Sequence, residues 1–347
     1  MRGIIINPTI ITCVTYIKSL RKKNLTYLFL IATIYCNAQV ISNKPTDISL
    51  GPVNFTKEFI KQNKIKSISV TIVDKPDGNI IIDKGATQGF EFDNKGRVTR
   101  YFYTILNRMV KDEIEIPAII RRGKITQHAS SRTHIQYLND TIFCNVFYDE
   151  KDNVIAKRLQ TGDYYDAYYY EYNELGQIKK ELHCKETNLS ENKKEFKLGV
   201  QSILSSETFE YIKLTDSQIK KRCFNDEGRE YKKAIINMDE KGNKISENYE
   251  FIVSWMKQEN NYNYNSNNQL MESRLISNES GDINKKTNYE FSEKGNLITE
   301  KRYIKNELLN EISYLYDDTN TILKSHINRD FKNSSIGIVK YAYSFFE

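Results

Sequence analysis

Phe291-Ser292-Glu293-Lys294-Gly295, with Leu297 two residues further on, reads as a hairpin turn between two strands. An oxygen-bearing side chain at the first turn position hydrogen-bonds the backbone two residues on. Gly at the fourth position accepts the positive φ that a tight hairpin needs. The aromatic before the turn and the aliphatic after it fall on paired strands and pack across the hairpin.

Seven more stretches share the design. They are Phe92-Asp93-Asn94-Lys95-Gly96, Tyr148-Asp149-Glu150-Lys151-Asp152, Tyr172-Asn173-Glu174-Leu175-Gly176 and Phe224-Asn225-Asp226-Glu227-Gly228, then Met238-Asp239-Glu240-Lys241-Gly242, Tyr264-Asn265-Ser266-Asn267-Asn268 and Tyr316-Asp317-Asp318-Thr319-Asn320. Val73-Asp74-Lys75-Pro76-Asp77-Gly78 is a looser, longer version. Val98, Ile178, Leu270, Leu297 and Ile322 supply the following aliphatic.

Spacing turns the motif into an architecture. The steps are 24 residues from Tyr148 to Tyr172, then 26, 27 and 25 from Met238 through Tyr264 and Phe291 to Tyr316. A period near 26 holds two strands and two turns. Alternate turns are visible at 160–163, 278–282 and 305–307, and the 14-residue step from Phe224 to Met238 is one strand plus one turn. The expected fold is all-β: an elongated antiparallel meander of hairpin repeats with a short N-terminal helix. That helix is expected within Val53–Gln62, where Phe55, Phe59 and Ile60 share a side, covering the exposed first edge of the sheet. Alternation supports a strand from Ile245, with Tyr249, Phe251, Val253 and Trp255 on one face. Ile298-Thr299-Glu300-Lys301-Arg302-Tyr303 carries charge on both faces, which suits an open sheet wetted on both sides. A membrane barrel needs an apolar outer face, and these strands do not provide one. Tyr accounts for 24 residues against one Trp, which also favours sheet.

The Tyr-x-Tyr-Asp-x-x-Gly-x-Leu pattern resembles the YD repeats of the RHS family over roughly residues 67–100 and 140–330. The whole layout also resembles uncharacterised exported proteins of Bacteroidetes-type bacteria. The resemblance implies a β-rich repeat body outside the cytoplasm. RHS proteins often enclose a toxin in a large shell; this chain has fewer repeats than such a shell needs, so that role is not carried over.

The beginning of the chain reads as an export signal. Arg21, Lys22 and Lys23 precede an apolar run from Leu25 to Tyr35, and Cys36-Asn37-Ala38 follows. The run is shorter than the ~20 residues of a membrane span. Cleavage is expected after Ala38, in preference to lipidation of Cys36, because bulky Tyr35 precedes that cysteine. Residues 1–19 make an unusually long extension, so translation is expected to start at Leu20. Losing residues 1–38 removes Arg2, Lys18, Arg21, Lys22, Lys23 and no acid, so the formal charge falls from +6 to +1. A nucleic-acid partner, which asks for a persistent basic face, is not expected. Residues 39–66 form a lead-in with the capping helix, and 67–347 form the repeat body, interrupted at 107–137 and 185–220. Cys144, Cys184 and Cys223 remain, enough for one disulfide and a free thiol.

Catalytic signatures are scarce. His128 and His134 flank Ser130 and Ser131 without an enforced acid, and His183-Cys184 point to opposite faces of a strand. No zinc, phosphate-loop, calcium-loop or G-x-S-x-G pattern occurs, so no catalytic residue, metal or cofactor is expected. The remaining candidate is 164–172. Tyr168, Tyr170 and Tyr172 share one face of a strand and Tyr165 and Tyr169 the other, a ladder suited to stacking on sugar rings or a partner's side chains. The functional expectation is an exported, non-enzymatic binding or structural protein, periplasmic, cell-surface or extracellular, with a glycan or protein partner and no transmembrane segment in the mature chain. The alternatives are a hydrolase acting on polysaccharide or envelope from a site in an interruption, and a component of an RHS-related toxin or immunity system.

Overall fold

The computed structural model describes residues 39–116, 119–121, 124–127, 130–191, 195–278 and 283–347. The expected leader, the start at Leu20 and His128 lie outside the described residues. One short helix, α1 (Lys57–Gln62), begins at Thr56, whose hydroxyl accepts the Phe59 N–H. The strands are β1 (Ile65–Pro76), β2 (Ile82–Phe92), β3 (Val98–Ile116), β4 (Ile119–Arg121), β5 (Lys124–Gln127), β6 (Ser130–Tyr148) and β7 (Val154–Thr161). Then come β8 (Tyr164–Tyr172), β9 (Ile178–Asn188), β10 (Leu198–Lys213), β11 (Gln218–Phe224), β12 (Glu230–Met238), β13 (Lys244–Phe251) and β14 (Lys257–Tyr264). β15 (Leu270–Ser277), β16 (Ile283–Phe291), β17 (Leu297–Ile304), β18 (Glu307–Tyr316), β19 (Leu323–Asp330) and β20 (Ser335–Phe345) complete the chain.

Apart from the small β4–β5 ribbon, each strand pairs antiparallel with the next, and β20 returns to pair with β1. The 18-stranded sheet is therefore a closed barrel. This corrects the expected elongated, open meander. Turn signals specify sequence neighbours and say nothing about the first and last strands. Two free edges expose rows of unpaired amides and carbonyls, and closure removes both. Ser67 and Ser344, 277 positions apart, meet across the seam at 2.6 Å. With no edge to cover, α1 has a different place, inside the ring.

In an antiparallel ring the turns alternate between two ends. Those beginning at Asp93, Asp149, Asn173, Asp239, Asn265, Ser292 and Asp317 share one end; the one at Asn225 lies at the other, which accounts for its 14-residue step. The turns have the expected chemistry. In the first, Asp93 N–H donates to Arg97 carbonyl, Gly96 N–H donates to Asp93 carbonyl, and the Asp93 carboxylate accepts the Lys95 and Arg97 amides. Gly96 has φ 83°, and Asp152, Asn268 and Asn320 take the same left-handed position in their turns. The Asp317 turn is one residue longer, so the fully buried aliphatic after it is Leu323 rather than Ile322.

The register slips at each of these turns, and the motif tyrosines act there. Tyr148 O–H donates to Val98 carbonyl, Tyr172 to Val154, Tyr264 to Lys244 and Tyr316 to Leu297, at 2.7–3.1 Å. Each acceptor opens the strand that follows an earlier motif turn. Tyr343 repeats the bond to Leu323 without a motif turn of its own. The tyrosine hydroxyl thus ties one hairpin to the preceding one.

The strand expected from Ile245 ends at Phe251. Phe251 N–H bonds Met256 carbonyl, Trp255 takes φ 56°, and Val253 and Trp255 stand exposed in the turn. The described parts of the two irregular segments are largely strand. Residues 107–137 include the outer parts of β3 and β6, which pair together beyond the reach of β2, and 185–220 holds the end of β9, all of β10 and the start of β11.

Residues 39–64 fill the ring. Val40 N–H bonds Asn296 side chain, Asn43 bonds Leu270 carbonyl, Lys44 bonds Asn243, and Asp47 pairs with Lys244. Ile48 and Leu50 pack on Val146, Val154, Tyr170 and Ile178; Phe55 meets Phe90, Phe92 and Tyr341; Lys57 pairs with Asp152. A segment that touches strands all around a closed ring lies within it. It forms a plug, with Val40, Phe59 and Ile60 buried among Ile68, Phe90, Leu297 and Leu323.

The plug identifies the inner face, and pairing carries that face around the ring. Tyr101, Cys144, Tyr168, Phe209, Cys223, Tyr249, Tyr262, Tyr289, Tyr314 and Tyr341 point inwards. The outer face carries cross-strand ion pairs: Lys233–Glu250 at 3.0 Å, Lys301–Glu290 at 3.2 Å and Arg222–Glu210 at 2.8 Å. Asn248, Asn261, Arg274 and Asn288 lie between them on the same face. A lipid-facing band is apolar; along β11–β17 these outer positions are polar, while the inner face is aromatic. No described helix is long and apolar enough to cross a membrane.

Candidate functional site

The tyrosine ladder lies on β8 and divides between the two faces. Tyr170 is buried against Val146, Val154 and Ile178. Tyr172 spends its hydroxyl on Val154 carbonyl, and burial, followed by Asp149 and Asp47, pushes it up to about 12. On the outer face Tyr165 packs edge-on against Phe196 at 5.0 Å, and Tyr169 donates to Glu186. Glu186 is fully buried and takes Arg158 Nε at 2.7 Å, while Arg158 also lies 4.1 Å from the Phe196 ring. Segment 195–201 thus folds over the outside of β7 and β8. Four of the five ladder tyrosines are held by packing.

Tyr168 differs because its neighbours are ionisable. It stacks flat on His183, centroids 4.3 Å apart, with Lys157 Nζ 4.7 Å from its ring. His183 also approaches Asp166 at 3.4 Å. Next along the inner wall, Glu181 on β9 is the direct cross-strand partner of Glu207 on β10. Like charges directly opposite each other are unfavourable. Tyr231 O–H donates to Glu207 at 2.5 Å. Burial raises the proton affinity of Glu181 and facing Glu207 raises it further, while Lys157, Lys221 and His183 pull the other way. Glu181 is thereby biased towards holding a proton, while Glu207 accepts the Tyr231 hydroxyl.

Sequence reading missed Glu181, Glu207, Lys221 and Tyr231. They share no local motif; only the β9–β10 pairing brings the two carboxylates together. At the turn end an open cleft of about 880 Å³ is bordered by Asp149, Glu150, Glu171, Glu174 and the edges of Tyr170 and Tyr172. Among the described residues no group of three or more His, Cys, Asp and Glu is placed to hold a metal ion, and Cys144, Cys184 and Cys223 are buried free thiols. His134 is exposed on the β3–β6 ribbon, and His183 and Cys184 do point to opposite faces.

No family model matches the chain, and no curated protein matches it. The RHS resemblance therefore rests on the turn motif alone. Among solved structures the chain is similar to a porin-like protein from Bacteroides uniformis, with 10% identity, 81% of this chain, 97% of the other and a TM-score of 0.37. A porin-like protein from Bacteroides vulgatus gives 9%, 61%, 95% and 0.25. TcdB2-TccC3-TEV gives 11% identity and a TM-score of 0.20 over 82% of this chain, which spans about a quarter of that one (24%). All three superpose too loosely to carry a function or a location across.

Proposed function

We propose that this is an exported, non-enzymatic β-barrel that binds a small polyhydroxy ligand, a glycan or glycan fragment, on its inner wall between Tyr168 and the Glu181–Glu207 pair. The observation that carries the reading is that pair. Two carboxyls face each other across β9 and β10, Glu181 with its proton affinity raised by burial and Glu207 accepting the Tyr231 hydroxyl, beside the Tyr168–His183 stack and two lysines. Hydroxyl groups both donate and accept, and such a wall answers both requirements, while an aromatic face suits a sugar ring. The ion pairs of the outer face favour a periplasmic, cell-surface or extracellular address in water over one in lipid.

The test is a glycan array on the purified exported protein, followed by calorimetry on any hit. Binding that falls at least tenfold in Tyr168→Ala and Glu207→Gln supports the reading, and binding untouched by both removes this wall from it. The same carboxyl pair favours one second reading, a saccharide hydrolase with Glu181 as proton donor and Glu207 as the second carboxyl of the pair. Release of reducing sugar by the wild type, lost in Glu207→Gln, would replace binding with hydrolysis.

A further inference from the structure

Gln39 opens the plug and, with cleavage after Ala38, would be the first residue of the exported chain. Gln39 and Val40 together are held at three points. The Gln39 carbonyl accepts Thr56 O–H, the next amide, of Val40, donates to Asn296 at 3.3 Å, and Thr56 N–H returns to Val40 carbonyl. Val40 and Ile41 beside it are buried inside the ring. Two features do not fit an ordinary terminal glutamine. Its side-chain nitrogen Nε2 is buried without a hydrogen-bond partner among the described residues. An α-ammonium here would sit beside an apolar core, and burying an unpaired charge is costly.

We propose that Gln39 is a modification site, cyclised to pyroglutamate in the exported protein. The α-amine attacks Cδ of its own side chain and a bond forms between the α-nitrogen and Cδ. The Cδ–Nε2 bond breaks, and Nε2 leaves as ammonia with a proton from the amine. Nothing is oxidised or reduced, and the reaction needs no second substrate. The step removes the buried side-chain nitrogen that has no partner among the described residues, and it converts a charged end into a neutral lactam. The carbonyl that accepts Thr56 is untouched.

The inference rests on cleavage after Ala38, and one experiment separates the two. The protein is exported from its own leader, and its N-terminal peptide is analysed by mass spectrometry. The expected peptide begins at residue 39, is lighter than the linear sequence by one ammonia, and resists Edman degradation. In Gln39→Asn, whose shorter side chain cannot close the five-membered ring, the ammonia loss disappears. A free amine on Gln39 overturns cyclisation while leaving the cleavage position intact. A peptide that begins elsewhere overturns the cleavage position, and cyclisation with it. An ammonia loss that persists in Gln39→Asn places the modification elsewhere and overturns the assignment.

Discussion

Replacing Tyr316 by Phe removes one oxygen from the tie between consecutive hairpins and leaves the ring in place. The hydroxyl donates to Leu297 carbonyl at 2.8 Å, and Leu297 is 1% exposed, in the core that also holds Val40 and Phe59. Burial pushes the Tyr316 phenol upwards, and its acceptor sits on a residue shielded from solvent. No cavity is created, and the cost is that of a buried carbonyl losing its partner, about 1–3 kcal/mol. With a urea dependence near ~3 kcal/mol per molar for a chain this long, the midpoint falls by roughly 0.3–1 M. Urea unfolding followed by circular dichroism measures it. Tyr303→Phe is the control, because Tyr303 lies on the outer face with Lys286 over its ring, 4.8 Å away, and should shift by less than about 0.5 kcal/mol. Equal shifts in the two variants would refute the tie and reduce the motif tyrosine to a packing residue.

Three further outcomes are expected. Gly242→Ala strains a left-handed position with open space around it, at roughly 1–2 kcal/mol; Gly96→Ala adds a collision with Lys57 carbonyl in the plug helix, so its thermal midpoint should drop further. His326 is half-buried near Arg302 and lowered to about 4, burial being the larger cause. Its unfolded value is near ~6.5, so the unfolded chain binds the proton first as pH falls; stability should decline between about pH 6.5 and 4 by on the order of 3 kcal/mol, and His326→Gln should flatten that slope in urea titrations. The outer ion pairs predict that the exported protein stays monodisperse on gel filtration without detergent; a need for detergent would contradict a water-facing exterior.

What the sequence made legible was local. Asp93, Asn173 and Ser292 announce turns because their oxygens and the following left-handed residue act within five positions. The period near 26 follows from those turns, and so does the alternation of paired strands. Closure was illegible because it depends on β1 meeting β20, where Ile68 faces Tyr343 and Val70 faces Tyr341, and no turn joins them. Charge on both faces of 298–303 suggested an open sheet, yet Glu300 and Arg302 face inwards as an ion pair, with Tyr314 donating to Glu300. A lumen tolerates paired charge that a solid core would not. The site shows the same division. The ladder tyrosines were visible as a run, and their alternation placed them on two faces correctly. Their packing was not visible, because Glu186 reaches Tyr169 through the β8–β9 pairing and Phe196 reaches Tyr165 through the fold of the β9–β10 connection.

The central claim, a ring closed by its first and last strands, is tested most directly at the seam. Ser67 and Ser344 are cross-strand partners with hydroxyls 2.6 Å apart. In the Ser67→Cys, Ser344→Cys variant, mild oxidation of the folded protein should give near-complete intramolecular disulfide, read as a mobility shift on non-reducing gels and as a linked peptide by mass spectrometry. The native thiols of Cys144, Cys184 and Cys223 are buried and should remain free. An open array holds these residues at opposite ends, so the absence of that crosslink, or its appearance only between molecules, would contradict the closed barrel.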